Sequence, residues 1–182
     1  MTTRGSWEMG ALDLIVGGVR ARLMKRRSTS GSRPNADEIT ENVWVGGVNS
    51  PELVAKQDFG VVIDLRETAD SRYVDFLKAH GIEYVNFKIP DRYGASPEAL
   101  SQIVALIGEE VGKGKKVLVH CNLGRGRSAL AVAAYLVSQG LLPEDAMKKI
   151  RGRRNVAYMN GRQRRSLSNY ASALSASSRK NP

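Results

Sequence analysis

The sequence predicts an α/β domain with a central, mostly parallel sheet flanked by helices. From about Ile39 onward, short segments rich in β-branched residues alternate with longer segments of helical periodicity, which is typical of strand–helix–strand units. Two of the short segments, 60–67 and 115–121, contain continuous apolar runs, as parallel strands do when both faces are buried. These patterns together indicate one sheet covered by helices.

Four segments have the pattern of strands and five have that of helices. The helix over 96–114 has the clearest start, because Ser96 is a favourable N-cap, Pro97 suits the first turn and Glu98 lies at the positive helix end. The predicted strands are 42–47, 60–67, 82–90 and 115–121, and the predicted helices are 70–81, 96–114, 128–140, 143–152 and 161–176.

The chain has the length and composition of one ordinary domain. It holds 182 residues, 42% of them hydrophobic, which suffices for a core. No apolar run reaches the roughly 18 residues of a transmembrane helix. The single cysteine cannot form an internal disulfide, and this fits a reducing, intracellular compartment.

The net charge of +10 is concentrated at the two ends of the chain. Residues 1–33 carry +5 and residues 148–182 carry +10, whereas residues 34–147 carry −5. Basic ends attract an acidic membrane surface or another polyanion. The alternative is that they are solvated ends with no partner.

The predicted organisation is a basic extension over 1–38, a catalytic domain over 39–174 and a basic tail over 175–182. Within the extension, a helix is predicted from Trp7 to Arg27, followed by a flexible linker over 28–35. The predicted helix carries an apolar stripe at helical spacing: Leu12, Ile15, Val16, Val19 and Leu23.

This apolar stripe has three interpretations. A stripe with a basic flank is typical of an interfacial helix, which would give peripheral membrane association through residues 7–27. An Arg-rich, acid-poor N-terminal segment is also typical of a targeting peptide. In the third interpretation, the stripe packs on the protein's own domain.

The only cysteine lies in "HCNLGRGRS", residues 120–128, between a buried strand and an apolar helix. The N–H groups of a sharp glycine turn converge, and the following helix adds its positive end. Such a turn can bind a phosphate-sized anion. A thiol beside it has a lowered pKa and is held as the reactive thiolate.

Arg127 follows Cys121 in a C-x5-R spacing, which lets its guanidinium return beside the sulfur. There it can hold two phosphoryl oxygens. Gly124 and Gly126 permit the curl of the loop. The hydroxyl of Ser128 can donate to the sulfur and help the thiolate leave in a second step.

The stretch "VHCNLGRGRS" resembles the H-C-x-x-G-x-x-R-[ST] signature of cysteine-dependent protein tyrosine phosphatases, in particular the dual-specificity branch. The resemblance extends from about Ile39 to Tyr170. It implies a metal-independent phosphatase that works through a phosphocysteine intermediate and needs no cofactor. Residues 122–127, with Asn122 and Leu123, would bind the phosphate, while His120 would orient the loop.

The resemblance also implies a general acid about thirty residues before the cysteine. Asp91, in "IPDRYGASP" directly after a predicted strand, lies thirty residues before Cys121. Alternatively, Asp91 only stabilises a turn near Gly94 and has no catalytic role. Tyr93, two residues on, is placed to stack on an aromatic phosphoamino acid.

The substrate class stays open between phosphoproteins and phospholipids. Arg125 adds a second positive charge inside the loop, which suits substrates with more than one anionic group and is similar to lipid-directed members such as phosphatidylglycerophosphate phosphatase. An Arg at this place also occurs in protein-directed members. A binding module without turnover is disfavoured because Cys121, Arg127 and Asp91 are all present.

Nucleic acid is not an expected partner, because no aromatic residues are interleaved with the arginines of 151–154 and 161–165. The sequence does not give the oligomeric state.

Overall fold

The structure, a computed structural model, describes residues 10–178 and has the predicted α/β architecture. The strands of this part of the chain are β1 (Ala36–Thr40), β2 (Val43–Gly46), β3 (Phe59–Asp64), β4 (Glu83–Asn86) and β5 (Lys116–His120). Its helices are α1 (Ala11–Thr29), α2 (Pro51–Ala55), α3 (Ser71–Ala79), α4 (Pro97–Gly112), α5 (Arg127–Ser138), α6 (Pro143–Arg153) and α7 (Gly161–Ser178).

The sheet has the strand order β1-β2-β5-β3-β4. Strands β2, β5, β3 and β4 are parallel, and β1 pairs antiparallel with β2 at the edge. The central strands β3 and β5 are almost entirely buried. Their continuous β-branched runs match burial on both faces, and the predicted fold class is confirmed.

Helices cover both faces of the sheet. On one face, α5 packs between α4, α6 and α7, and its residues 127–137 are all buried. The alanines of α5 let these neighbours approach closely. On the other face, a smaller cluster joins Tyr73 and Leu77 of α3 to Val62 and Leu118 of the sheet. This three-layer arrangement fixes the carboxyl ends of β3 and β5, beside which the candidate site lies.

Most predicted elements lie where the sequence places them. The N-cap expected for α4 is observed, because Ser96 Oγ accepts a hydrogen bond from Ala99 N at 3.2 Å. Strand β4 is shorter than predicted and ends at Asn86 rather than at residue 90. The edge strand β1 and the short helix α2 were not predicted.

The prediction of a flexible linker over 28–35 is wrong. Ser28 and Asn35 are fully buried. Ser28 Oγ donates to Val48 O at 2.5 Å, and Asn35 N donates to Asn49 Oδ1 at 2.6 Å. Polar side chains join this segment to the domain, which composition alone does not reveal. Strand β1 also crosses the predicted boundary between residues 38 and 39.

Helix α1 packs on the domain through the face opposite its apolar stripe. Its buried residues are Gly17, Gly18, Ala21 and Ser28. The interpretation in which the stripe packs on the domain is therefore wrong. Large side chains form an exposed apolar crest, each between 50% and 77% exposed: Leu12, Ile15, Val16, Val19 and Leu23.

Parts of the two predicted terminal segments lie outside the described residues. The predicted start of the N-terminal helix at Trp7 lies outside the described residues, as do the last four residues of the predicted tail. Helix α7 continues to Ser178 and so enters that tail. Among residues 10–178, no helix has the length and apolar content needed to span a bilayer.

Candidate active site

Residues 121–127, the phosphate loop, connect β5 to α5 at the carboxyl end of the sheet. Within it, Gly124 has a φ of 69°, which residues with a Cβ rarely adopt. A Cβ there would also lie 2.6 Å from the backbone nitrogen of Gly47. Glycine at this position is therefore required by both the turn and the close approach of the neighbouring chain.

The carbonyl oxygens of the phosphate loop face the surrounding protein. Those of residues 122–126 all accept hydrogen bonds from outside the loop, at 2.6 to 3.3 Å. Because successive carbonyls point outward, the N–H groups between them converge on the inside. The first turn of α5 adds its positive end. The loop can therefore hold a phosphate-sized anion.

Cys121 is buried, only 3% exposed, at the base of this loop. Its Sγ lies 3.5 Å from Ser128 Oγ. Burial alone would raise the pKa of the Cys121 thiol, but hydrogen bonds from Ser128, the charge of Arg127 and the Gly124 N–H outweigh it and hold the pKa below its ordinary value. The environment thus favours the thiolate.

Arg127 connects the loop to two neighbouring segments. Its Nη1 donates to Ile89 O at 2.9 Å and to Leu65 O at 3.3 Å. Its Nη2 forms an ion pair with Asp91 Oδ1 at 2.9 Å. The guanidinium is 5% exposed and the Asp91 side chain is 67% exposed. Asp91 therefore reaches the pocket from the solvent side and is held there by Arg127.

His120 lies beneath the loop rather than in the pocket. It is 1% exposed, with Nδ1 3.4 Å from Cys121 O and Nε2 3.7 Å from Asp64 Oδ2. Burial lowers its pKa, against an opposing attraction from Asp64. Asp64 in turn pairs with Arg66 at 2.7 Å. A neutral, buried histidine in this place supports the loop from below.

The two tyrosines near the site differ in position. Tyr93, expected to stack on a substrate, does not line the pocket, and Arg162 lies over its ring at 4.5 Å from the centroid. Tyr158 does line the pocket, and its backbone N–H donates to Arg125 O at 2.8 Å. No motif or periodicity in the sequence indicates Tyr158, which lies in a loop beyond α6.

Arg154 is a second residue that the sequence analysis missed. It is buried, and its guanidinium donates to Gly124 O at 2.6 Å, to Asn35 Oδ1 at 2.6 Å and to Asp37 Oδ2 at 2.6 Å. Burial lowers the pKa of Arg154, against the attraction of Asp37. The contact with Gly124 holds the phosphate loop from behind and joins it to the segment that leads into β1.

Helix α1 forms one wall of the pocket. Arg125 Nε donates to Val156 O at 3.1 Å, and its Nη2 donates to Leu14 O at 3.4 Å. A Cβ at Gly18 would lie 3.2 Å from Arg125 Nη1. From the same helix, Lys25 Nζ donates to Asn122 Oδ1 at 2.5 Å. The glycine face thus lets α1 contact the phosphate loop directly.

The pocket has a volume of about 380 Å³. It brings together seven residues that the sequence predicts for the site, namely Asp91, Cys121, Asn122, Leu123, Arg125, Gly126 and Arg127. Ser128 and His120 do not line it but contact Cys121, at its sulfur and at its carbonyl oxygen respectively. Residues not predicted also line it, namely Leu14, Arg22, Arg92, Tyr158, Asn160 and Gln163.

The model of the family described as dual specificity phosphatase, catalytic domain, matches residues 44–173. The chain belongs to the dual-specificity phosphatase family. Its cysteine-dependent phosphatase chemistry follows from that membership and from the single buried Cys121. The family membership predicted from the "HCNLGRGRS" segment is therefore confirmed.

Relatives and solved structures agree with this family. The dual specificity protein phosphatase 1B of Arabidopsis thaliana is 29% identical over 127 residues, which cover 68% of this chain and 74% of that protein. The phosphatidylglycerophosphate phosphatase PTPMT1 of Arabidopsis thaliana is 33% identical over 121 residues, which cover 63% of this chain and 36% of that protein. The crystal structure of Tk-PTP in the active form matches with a TM-score of 0.71 and 31% identity, over 76% of this chain and 97% of that chain.

Proposed function

We propose that this dual-specificity phosphatase hydrolyses phosphomonoesters with Cys121 as nucleophile and Asp91 as general acid. The observation that carries the proposal is that Cys121, Arg127 and Asp91 line one pocket, with Arg127 paired to Asp91 at 2.9 Å. A thiolate, an oxyanion-stabilising guanidinium and a proton donor thus face the same space.

Two steps follow from this arrangement. The Cys121 thiolate attacks phosphorus in line, while Asp91 gives its proton to the leaving oxygen. Asp91 then takes a proton from water, which attacks the phosphocysteine and releases phosphate and the thiolate. Through both steps, the N–H groups of the phosphate loop and Arg127 hold the phosphoryl oxygens, and Ser128 donates to the departing sulfur.

The acid assignment is tested by Asp91→Asn with Asp75→Asn, on the exposed side of α3, as the matched control. General acid catalysis is worth about 10²–10⁴-fold, and a poor leaving group needs it most. We expect turnover of an alkyl phosphate to fall by that factor, while turnover of an activated aryl phosphate falls far less. Equal losses on both substrates would contradict the role of Asp91.

A phosphoprotein is the first candidate substrate, since the 1B relative is named a dual specificity protein phosphatase. A phospholipid at a membrane surface is the second candidate, and the exposed crest of α1 favours it. The crest lies on the helix whose other face contacts the phosphate loop. Arg20, Arg26 and Arg27 flank it, as cationic side chains flank interfacial helices.

The two candidate substrate classes are distinguished by measuring the rate of phosphate release from a phosphotyrosine peptide and from phosphatidylglycerophosphate vesicles. Cys121→Ser is the inactive blank. A crest variant, Val19→Ser with Leu23→Ser, is assayed beside the unaltered protein. If the lipid is the substrate, the variant loses vesicle hydrolysis by tenfold or more and keeps its peptide activity. If the peptide alone is hydrolysed, the phospholipid candidate is rejected.

A further inference from the structure

A groove separate from the catalytic pocket lies on the opposite flank of α1. Its volume is about 500 Å³, and it shares no lining residue with the catalytic pocket. Arg20 and Arg27 line it from α1, while Arg33 and Arg153 line it from the loop before β1 and from the end of α6. The ring of Trp44 contributes an apolar surface to it. These four arginines and Trp44 define the arginine groove.

The arginines of the groove lack carboxylate partners. Within residues 10–178, the one acidic residue that lines the groove is Asp37, and its carboxylate is already paired with the buried Arg154 at 2.6 Å. No ion pair joins Arg20, Arg27, Arg33 or Arg153 to an acid in this part of the chain. Four arginines therefore line one concave surface without an ion pair, although Arg153 also lines a neighbouring pocket that contains Glu38 and Glu41.

At the end of α4, by contrast, two lysines that lie close together are paired with acids. Lys113 and Lys115, near the end of α4, share the carboxylate of Glu110 at 2.6 and 2.5 Å, and each has a second acidic partner. Convergent positive charge without such partners raises the local potential and attracts an anion. Guanidinium groups match the oxygens of a phosphate in geometry as well as in charge.

We propose that the arginine groove is a second phosphate-binding site, which takes a phosphate group that the enzyme does not hydrolyse. The groove contains no thiol, since the only cysteine is in the catalytic pocket. Leu23 belongs both to the crest of α1 and to the groove lining. A phosphate on a lipid headgroup beneath the crest and a phosphate on a soluble ligand both fit this chemistry.

The catalytic pocket also binds phosphate, so the test first fills it. Because Cys121 is the only cysteine, carboxymethylation of the full chain with iodoacetate blocks the phosphate loop alone. The groove variant is Arg33→Gln with Arg153→Gln, both exposed. The matched control is Lys148→Gln with Lys149→Gln, which removes the same charge from the exposed side of α6.

Two probes then distinguish a phosphate group on a soluble ligand from one on a lipid headgroup. Inorganic phosphate is titrated by calorimetry, and vesicles of phosphatidylglycerol in phosphatidylcholine are tested by cosedimentation. We expect the groove variant to lose affinity at least tenfold for one or both probes, while the control stays within twofold. Loss for inorganic phosphate indicates a soluble ligand, and loss for vesicles alone indicates a lipid headgroup.

The proposal is overturned if the carboxymethylated protein binds neither probe, or if the groove variant binds both as the control does. Failure of the proposed catalytic roles would be seen separately. Neither Arg33 nor Arg153 lines the catalytic pocket, so the unmodified groove variant keeps its hydrolysis of an aryl phosphate whatever the binding arms show.

Discussion

At the scale of single residues, the reactivity of Cys121 depends on a competition between burial and hydrogen bonding. Burial raises the pKa of a thiol because a thiolate loses hydration. Ser128 opposes this with its hydroxyl 3.5 Å from the sulfur and with its backbone N–H. Because these hydrogen bonds are charge-assisted, they are stronger than neutral ones, and the thiolate is favoured.

Ser128→Ala removes the hydroxyl donor and is expected to raise the pKa of Cys121. A hydrogen bond to a charged group contributes roughly 1.5–3 kcal/mol, so its loss disfavours the thiolate relative to the thiol. At a fixed neutral pH, alkylation by iodoacetamide should slow, and its pH profile should move to higher pH. Ser138→Ala, at the other end of α5 where Ser138 Oγ donates to Tyr135 O, is the control. If the pH profile of alkylation is unchanged in Ser128→Ala, the Ser128 hydroxyl does not stabilise the Cys121 thiolate.

Closeness along the chain was enough to find the residues within the phosphate loop, whereas the more distant Asp91, thirty residues before Cys121, was indicated by the family resemblance. Cys121 and Arg127 belong to one short segment, so their spacing alone indicates their meeting. Arg154 comes thirty residues after Gly124, and its neighbour Arg153 is exposed while Arg154 is buried. Nothing local distinguishes the two arginines. Only the tertiary packing of α6 against the edge of the sheet does so.

At the scale of elements, α1 shows what hydrophobic periodicity leaves undetermined. The stripe correctly indicates a helix, but the helix packs through Gly17, Gly18 and Ala21. Small residues occupy this face because the backbone of α1 must approach Arg125 and the phosphate loop closely. Strand β1, "ADEIT", was missed for a related reason. It lacks an apolar alternation, and its strand geometry comes from pairing with β2.

The phosphate loop as an element is tested by Gly124→Ala. Residue 124 has a positive φ, which a residue with a Cβ rarely adopts, and an added Cβ would clash with the backbone of Gly47. The loop must therefore shift. Overpacking of this kind costs about 1–3 kcal/mol, and in a domain of this size each kcal/mol lowers Tm by about 2–4 °C. We expect a lowered Tm together with a large loss of activity.

Gly152→Ala is the matched control for that variant. Gly152 lies within α6 and has no atom within 4 Å of an added Cβ. Alanine there should raise stability by about 0.5–1 kcal/mol and leave activity intact. If the two variants behave alike in calorimetry and in phosphate release, the loop does not depend on glycine at 124.

At the scale of the whole molecule, two buried groups, His120 and Asp64, give the fold the same dependence on pH. The folded pKa of His120 lies below its ordinary value because of burial. Despite burial, Asp64 also has a lowered pKa, held down by its hydrogen bonds and ion pair with Arg66. A lowered folded pKa means that the unfolded chain binds more protons in that range, so acid favours unfolding. Stability should therefore fall as the pH drops.

The contribution of His120 begins near its unfolded pKa of about 6.5 and continues until its lower folded pKa is reached. One proton gives a slope of up to about 1.4 kcal/mol per pH unit. We expect Tm to fall between pH 7.5 and pH 5, and to fall less steeply in His120→Gln than in the unaltered protein. The chain has one other histidine, the exposed His80, so His80→Gln is the matched control and should keep the full slope. A His120→Gln profile parallel to that of His80→Gln would show that the fold does not hold His120 neutral.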